Sequence, residues 1–195
     1  MIRKFIALAC APITAALLLL GLVEPALAAG VRGMVSVGVV GTYIGTSPLT
    51  GVNPATPFNL NAVYALTEGA AANQAQYLYA AQTTIAASGS SNLDLAGAVT
   101  DVLGATLTCN TVRFIYVHAA TGNTNNFNVG GAASNTLVGV FDDATDIARV
   151  KPGGTFLWIA PVTGATVTAA TGDILKLANS SSGTSVTADI AIGCT

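Results

Sequence analysis

Ser185-Val186-Thr187-Ala188-Asp189-Ile190-Ala191-Ile192 is the stretch that decides the class of fold. Val186, Ala188, Ile190 and Ile192 alternate with Ser185, Thr187 and Asp189. That period of two puts one face of an extended strand into a core and leaves the other wet or packed on a neighbour. Upstream, short runs rich in Val, Ile, Thr, Tyr and Phe recur between clusters of Gly, Asn, Pro and Ser, and no clean helical period interrupts them. The predicted strands are Met34 to Thr46, Phe58 to Leu66, Gln76 to Ala87, Asn92 to Leu95, Ala105 to His118, Asn126 to Val129, Thr136 to Phe141, Ile147 to Val150, Thr155 to Ala160, Thr166 to Ala169, Asp173 to Ala178 and Ser185 to Ile192. So many short strands predict an all-β chain whose sheets pack in two layers, as a β-sandwich or jelly-roll-like domain.

Two segments leave alternatives. Ala105 to His118 carries apolar residues on both faces, Leu107, Ile115 and Val117 on one and Val112, Phe114 and Tyr116 on the other. Either it is a central strand covered on both sides, or a bulge near Asn110 and Thr111 switches its faces. Ala70 to Ala75 has the composition of a helical turn but is too short to stand alone, and is read as a loop. Lys151-Pro152-Gly153-Gly154 and Ser180-Ser181-Ser182-Gly183 are turns by residue type.

Arg3 and Lys4 precede an almost unbroken apolar stretch from Phe5 to Val23, and Ala26-Leu27-Ala28 after Pro25 matches a small-x-small cleavage site. Residues 1–28 therefore read as a signal peptide cut after Ala28. The alternative is an uncleaved anchor, the one way this chain would engage a membrane, since the apolar run nears the length needed to span a bilayer. Either way the remainder is exported, to the extracellular space or cell surface. Residues 29–57 read as an N-terminal extended segment with the first strand, and residues 58–195 as the β-sandwich domain.

The whole chain has 7 Lys+Arg, 9 Asp+Glu and one His, with 8% charged and 52% hydrophobic residues. A disordered chain needs more charge, and a nucleic-acid binder needs an excess of base. Sparse charge also leaves much neutral surface, which packs against copies of itself with little desolvation cost. The stretch Ala29 to Gly45 is the candidate intermolecular strand, with Val31, Met34, Val37, Val39, Val40, Tyr43 and Ile44 as its apolar positions. Its alternative is an ordinary first strand of the sandwich.

Once the leader is removed, Cys109 and Cys194 are the only pair, and an oxidising compartment favours joining them. The alternative is two separate buried thiols. No catalytic constellation emerges: His118 is the only histidine, and no serine or cysteine sits in a nucleophile setting. Asp142, Asp143 and Asp146 form a compact acidic cluster, the weak candidates for a calcium site, but calcium-loop spacing is missing and aspartates of this kind also build turns. Phe156 and Trp158, two apart in a strand, would share a face, as part of the core or as a sugar-stacking platform. No cofactor is expected.

The turn and strand motifs Asn92-Leu93-Asp94-Leu95-Ala96-Gly97, Gly122 to Asn126 running into Val129 to Ala133, Val150 to Gly154 with Ala160-Pro161, and Thr171 to Lys176 with Ser180 to Asp189 resemble a family of small β-rich structural proteins of tailed bacteriophages and prophages. The resemblance spans about residues 58–192. It implies a non-enzymatic, virion-associated or surface-displayed assembly protein whose partners are copies of itself or a larger particle. The leader departs from that pattern and implies an exported relative that assembles outside the membrane. The expected function is an exported structural subunit of a filament, coat or surface decoration. The alternative is a secreted adhesin or carbohydrate-binding module.

Overall fold

Turn chemistry and period-two runs partition the chain as its sequence predicts, into an all-β structure. The computed structural model describes residues 30–46 and 53–195, so the signal peptide and cleavage site expected over residues 1–28 lie outside the described residues. The strands are β1 (Gly33–Ile44), β2 (Ala55–Glu68), β3 (Gln74–Ala75), β4 (Tyr77–Ile85), β5 (Ser90–Asp94), β6 (Thr111–Ala119), β7 (Phe127–Gly130), β8 (Ile147–Val150), β9 (Thr155–Ile159), β10 (Ala165–Thr166), β11 (Ile174–Asn179) and β12 (Val186–Cys194).

Two sheets build the sandwich. One orders its strands β10-β6-β12-β4, with β9 also paired to β6, and the other runs β5-β11-β7-β8. Their facing side chains interlock. Val186, Ile190 and Ile192 of β12 and Ile115 and Val117 of β6 belong to the same buried cluster as Leu175 and Leu177 of β11 and Phe127 and Val129 of β7. Burying one such side chain contributes about 1.5–3 kcal/mol, so this double layer is the main source of stability. The alternation read over residues 185–192 appears as stated: Val186, Ala188, Ile190 and Ile192 are buried, while Thr187, Asp189 and Ala191 face outward.

The structure chooses between the readings of residues 105–118. Strand β6 begins at Thr111, and residues 105–110 enter it as a loop that buries Leu107 and Cys109. From Thr111 on, β6 is central, flanked by β12 on one side and by β9 and β10 on the other. Gly193 pairs with Phe114 and Cys194 with Val112, so Arg113 is an extra residue in β6, a bulge just past Thr111 that switches its faces and puts Val112 in the buried cluster with Ile115 and Val117 while Tyr116 stays exposed. Gly193 is required there, because a Cβ at that position would run into the Phe114 ring.

Two predicted strands are corrected: of residues 166–169 only Thr166 lies in a strand, β10, before the chain turns at Ala169, and residues 136–141 do not form one. Residues 136–141 make a single bridge from Thr136 to Ile174, and the Leu137 N–H donates to the Ile174 carbonyl. Val138–Val140 then coil into a short 3-10 turn. Leu137 is buried and Val138 exposed, so this apolar run spends one anchor on the core and turns away. The loop around residues 70–75 is a loop, closed by β3. The turn Lys151-Pro152-Gly153-Gly154 closes with the Gly154 N–H on the Lys151 carbonyl, and Gly153 takes a φ of +72°, which only glycine adopts without strain.

The boundary drawn after residue 57 falls inside a strand. Strand β2 starts at Ala55 and pairs antiparallel with β1 along its whole length, from Gly33↔Leu66 to Ile44↔Ala55. Neither strand belongs to the two sandwich sheets; among the described residues their only further pairing is a short parallel one, between β2 and β3. The first strand of the chain is thus half of a hairpin arm.

Candidate assembly surface

At about 3.4 Å per residue, twelve paired positions make an arm roughly 40 Å long. Arg32 and Glu68 sit side by side at its root and form an ion pair at 3.3 Å. Between them, from Gly33 to Thr67, the sequence contains no charged residue and no histidine. The root is tied to the body by the Val31 N–H on the Ala75 carbonyl and the Thr67 N–H on the Asn73 carbonyl. Beyond β3, the arm makes at most sparse contact with the strands of the body.

Cross-strand register assigns the arm's faces. Val35, Val37, Val39, Gly41 and Tyr43 share one face with Tyr64, Ala62, Leu60, Phe58 and Thr56. Met34, Ser36, Gly38, Val40, Thr42 and Ile44 share the other with Ala65, Val63, Asn61, Asn59, Pro57 and Ala55. Exposure rises toward the tip: Val35, Ala62 and Tyr64 are half-buried, whereas Val40 is 73% and Tyr43 74% exposed. Met34, Val39, Ile44, Leu60 and Val63 are also exposed. Phe58 lies over Gly41, where an added Cβ would sit 2.6 Å from the ring, so the aromatic covers its glycine partner across the strands.

Six of the seven apolar positions proposed for assembly, Met34, Val37, Val39, Val40, Tyr43 and Ile44, are exposed on β1. Val31 is not on the arm; it lines a cavity of about 280 Å3 at the root together with Gln76, Leu78, Val102 and Leu103. Phe58, Leu60 and Val63 were missed, because the alternation of β2 reads the same whether its apolar face meets a core or water. One edge of β1 is occupied by β2, so the unit that projects is a ribbon, not a lone strand and not a first strand of the sandwich.

The other singled-out residues sit apart from the arm. Cys109 and Cys194 are joined in a disulfide, with Cα atoms 5.5 Å apart. Asp143 Oδ1 accepts from the Thr145 N–H at 2.9 Å and from its hydroxyl at 2.8 Å, and Asp146 Oδ2 accepts from the Asp143 N–H at 3.1 Å. The first of these contacts, then the second, holds the Asp143 carboxyl below its usual range. These aspartates build a turn, and among the described residues no group of three or more His, Cys, Asp or Glu is arranged to hold a metal ion. His118 lies on the outer face of its sheet with Nδ1 2.9 Å from the Thr155 hydroxyl. Phe156 and Trp158 are half-buried against the core, Phe156 stacked on Phe141 with ring centroids 6.2 Å apart.

Sequence reading gave no sign of Arg113. It is buried, and its guanidinium donates to the Val162 carbonyl at 2.9 Å and to the carbonyls of Ala70 and Ala71 at 3.2 and 3.1 Å. Because the loop at residues 70–71 directly follows β2, Arg113 pins the chain leaving the arm onto the sandwich. Compared with protein-family models and with curated proteins, the chain matches none.

Proposed function

We propose that this protein is an exported, non-enzymatic structural subunit that assembles with copies of itself through the projecting arm and its open sheet edges. The observation that carries this reading is the arm: a long ribbon with large apolar side chains in solvent and no charge between Gly33 and Thr67. Exposed sheet edges in soluble proteins are ordinarily blunted by lysine, proline, bulges or short length. Apart from Pro57, this one keeps its free N–H and C=O groups and its apolar faces unguarded, a combination that suits burial in an assembly. The same reading covers a filament, a coat or a decoration of a virion-like particle, and the Cys109–Cys194 disulfide is compatible with export.

The test is negative-stain electron microscopy, with light scattering after size-exclusion chromatography, on protein secreted from its own leader under non-reducing conditions. Regular rings, sheets or filaments are expected. A stable monomer at tens of micromolar that binds a glycan array would instead favour the adhesin reading.

A further inference from the structure

We infer that the arm is a reciprocal clasp: two copies exchange arms across a two-fold axis, so that each arm is covered on both faces by the other copy. The inference rests on the self-assembly reading and says which surfaces carry it.

Both faces of the arm point to a protein partner. Tyr43, Leu60, Phe58, Val39 and Val37 are exposed on one face, and Val40, Met34, Ile44 and Val63 on the other. A hairpin that enters a bilayer presents one apolar face to lipid and one polar face to water. Here the second face is mixed, with Met34, Val40, Ile44 and Val63 exposed among Ser36, Thr42, Asn59 and Asn61, so lipid on the first face would leave four large apolar side chains uncovered. A charged partner would lose hydration against a surface that returns no ion pair. An uncharged partner of the same kind is what the chain itself supplies.

Area decides between one-sided docking and exchange. A two-stranded ribbon about 40 Å long and about 10 Å wide presents roughly 400 Å2 on each face. A single arm docked by one face buries about 400 Å2 on each partner, half of the ~800 Å2 per partner that stable interfaces need. Exchange covers both faces and reaches that figure. A two-fold axis makes this reciprocal by construction.

The body offers a receiving surface. On the outer face of the β4-β12-β6-β9 sheet, Ala80, Ala191, Tyr116 and Leu157 lie in one row across the four strands. Ala80 and Tyr116 are exposed, Ala191 and Leu157 half-buried. The next row toward one end, Gln82, Asp189, His118 and Thr155, is polar and limits the patch. A sheet packs on such a face at about 10 Å, and this row is free of charge. The partner's arm lies there by one face, and the two arms stack on each other by the other face.

Two variants test the clasp. In the first, residues 36–63 are replaced by Asn-Gly, which closes a two-residue hairpin between the paired positions Val35 and Tyr64. In the second, V39E/L60K, the new charges face each other across the strands, keeping the hairpin but charging one face. Wild-type protein is expected at the mass of a dimer or an even multiple of it. Both variants are expected as folded monomers with the disulfide intact, their dimer Kd raised by about 100-fold or more. Either variant keeping the wild-type mass overturns the clasp, as does a wild-type assembly of odd stoichiometry. Dye release by the wild type from phosphatidylcholine–phosphatidylglycerol vesicles, lost in the first variant, overturns it in favour of membrane insertion. If the armless protein still forms regular particles by microscopy, the clasp falls while the structural-subunit reading stands. If the wild type is a monomer without particles, both fall.

Discussion

Reducing the Cys109–Cys194 disulfide should lower stability by an amount the topology sets. The bridge closes a loop of 85 residues. On the chain-entropy relation, −2.1 − 1.5R ln n, that loop removes about 15 cal/mol/K from the denatured ensemble, or about 4.6 kcal/mol at 25 °C. The native state should survive reduction, because the C-terminal strand has other ties. Cys194 accepts from the Gln76 N–H at 2.8 Å, Thr195 accepts from the Asn110 N–H, and the Thr195 N–H donates to the Thr111 carbonyl at 2.9 Å. The loss therefore falls on the denatured side, and a measured cost of about 3–5 kcal/mol is expected. The assay is urea unfolding of one preparation, oxidised and reduced, followed by tryptophan fluorescence and circular dichroism. With a slope near 2 kcal/mol/M, the midpoint should fall by about 2 M, and the melting temperature by roughly 10–15 °C. C109A/C194A should track the reduced protein to within about 1–2 kcal/mol. A midpoint shift below about 0.5 M would refute the reasoning, since it would mean that the denatured chain already holds these ends together without the bond.

Other perturbations probe the remaining links. Arg113→Ala removes three hydrogen bonds from a buried guanidinium and should cost about 3 kcal/mol in urea unfolding, with faster proteolytic cleavage near residues 70–73; a cost under 1 kcal/mol would show that the loop holds itself. Leu177→Ala opens a cavity between the two sheets and should cost about 3 kcal/mol, read as a lower unfolding midpoint with an unchanged slope. The Asp143 carboxyl should titrate by NMR below the usual 3.8, and Thr145→Ala, which removes the hydroxyl but keeps the backbone N–H, should return it only part of the way. Because its pKa is depressed in the fold, any stabilisation it gives is present at neutral pH and lost as pH falls through the folded value. An Asp143 titration at or above the usual 3.8 in the wild type would sink that assignment.

Much of the sandwich was legible because alternation, turn chemistry and cysteine count are local or countable properties. Residues 147–150 are a strand with the predicted bounds, residues 185–192 bury the predicted face, and Pro152-Gly153 makes the turn its residue types require. The pairing of Cys109 with Cys194 followed from their being the only two cysteines outside the apolar N-terminal stretch that holds Cys10. Residues 136–141 misled because an apolar β-branched run looks the same whether or not a sheet edge has room to extend; here one bridge to Ile174 is made and the chain turns away. Arg113 was silent because burial of a charge depends on which carbonyls fold around it.

The sequence by itself determined that the chain is all-β, that it has few charges with which to hold itself together, and that residues 29–45 are largely apolar with a single charge. Only the tertiary structure decided that this segment pairs with residues 55–66 and leaves the sandwich as an arm. Period two states that a strand has an apolar face but not what that face meets. Val37 and Val39 repeat with the same spacing as Ile190 and Ile192, yet the first pair stands in solvent and the second lies in the core. The difference arises because the sandwich closes its layers with the strands from β4 to β12, leaving β1 and β2 only each other and β3 to pair with.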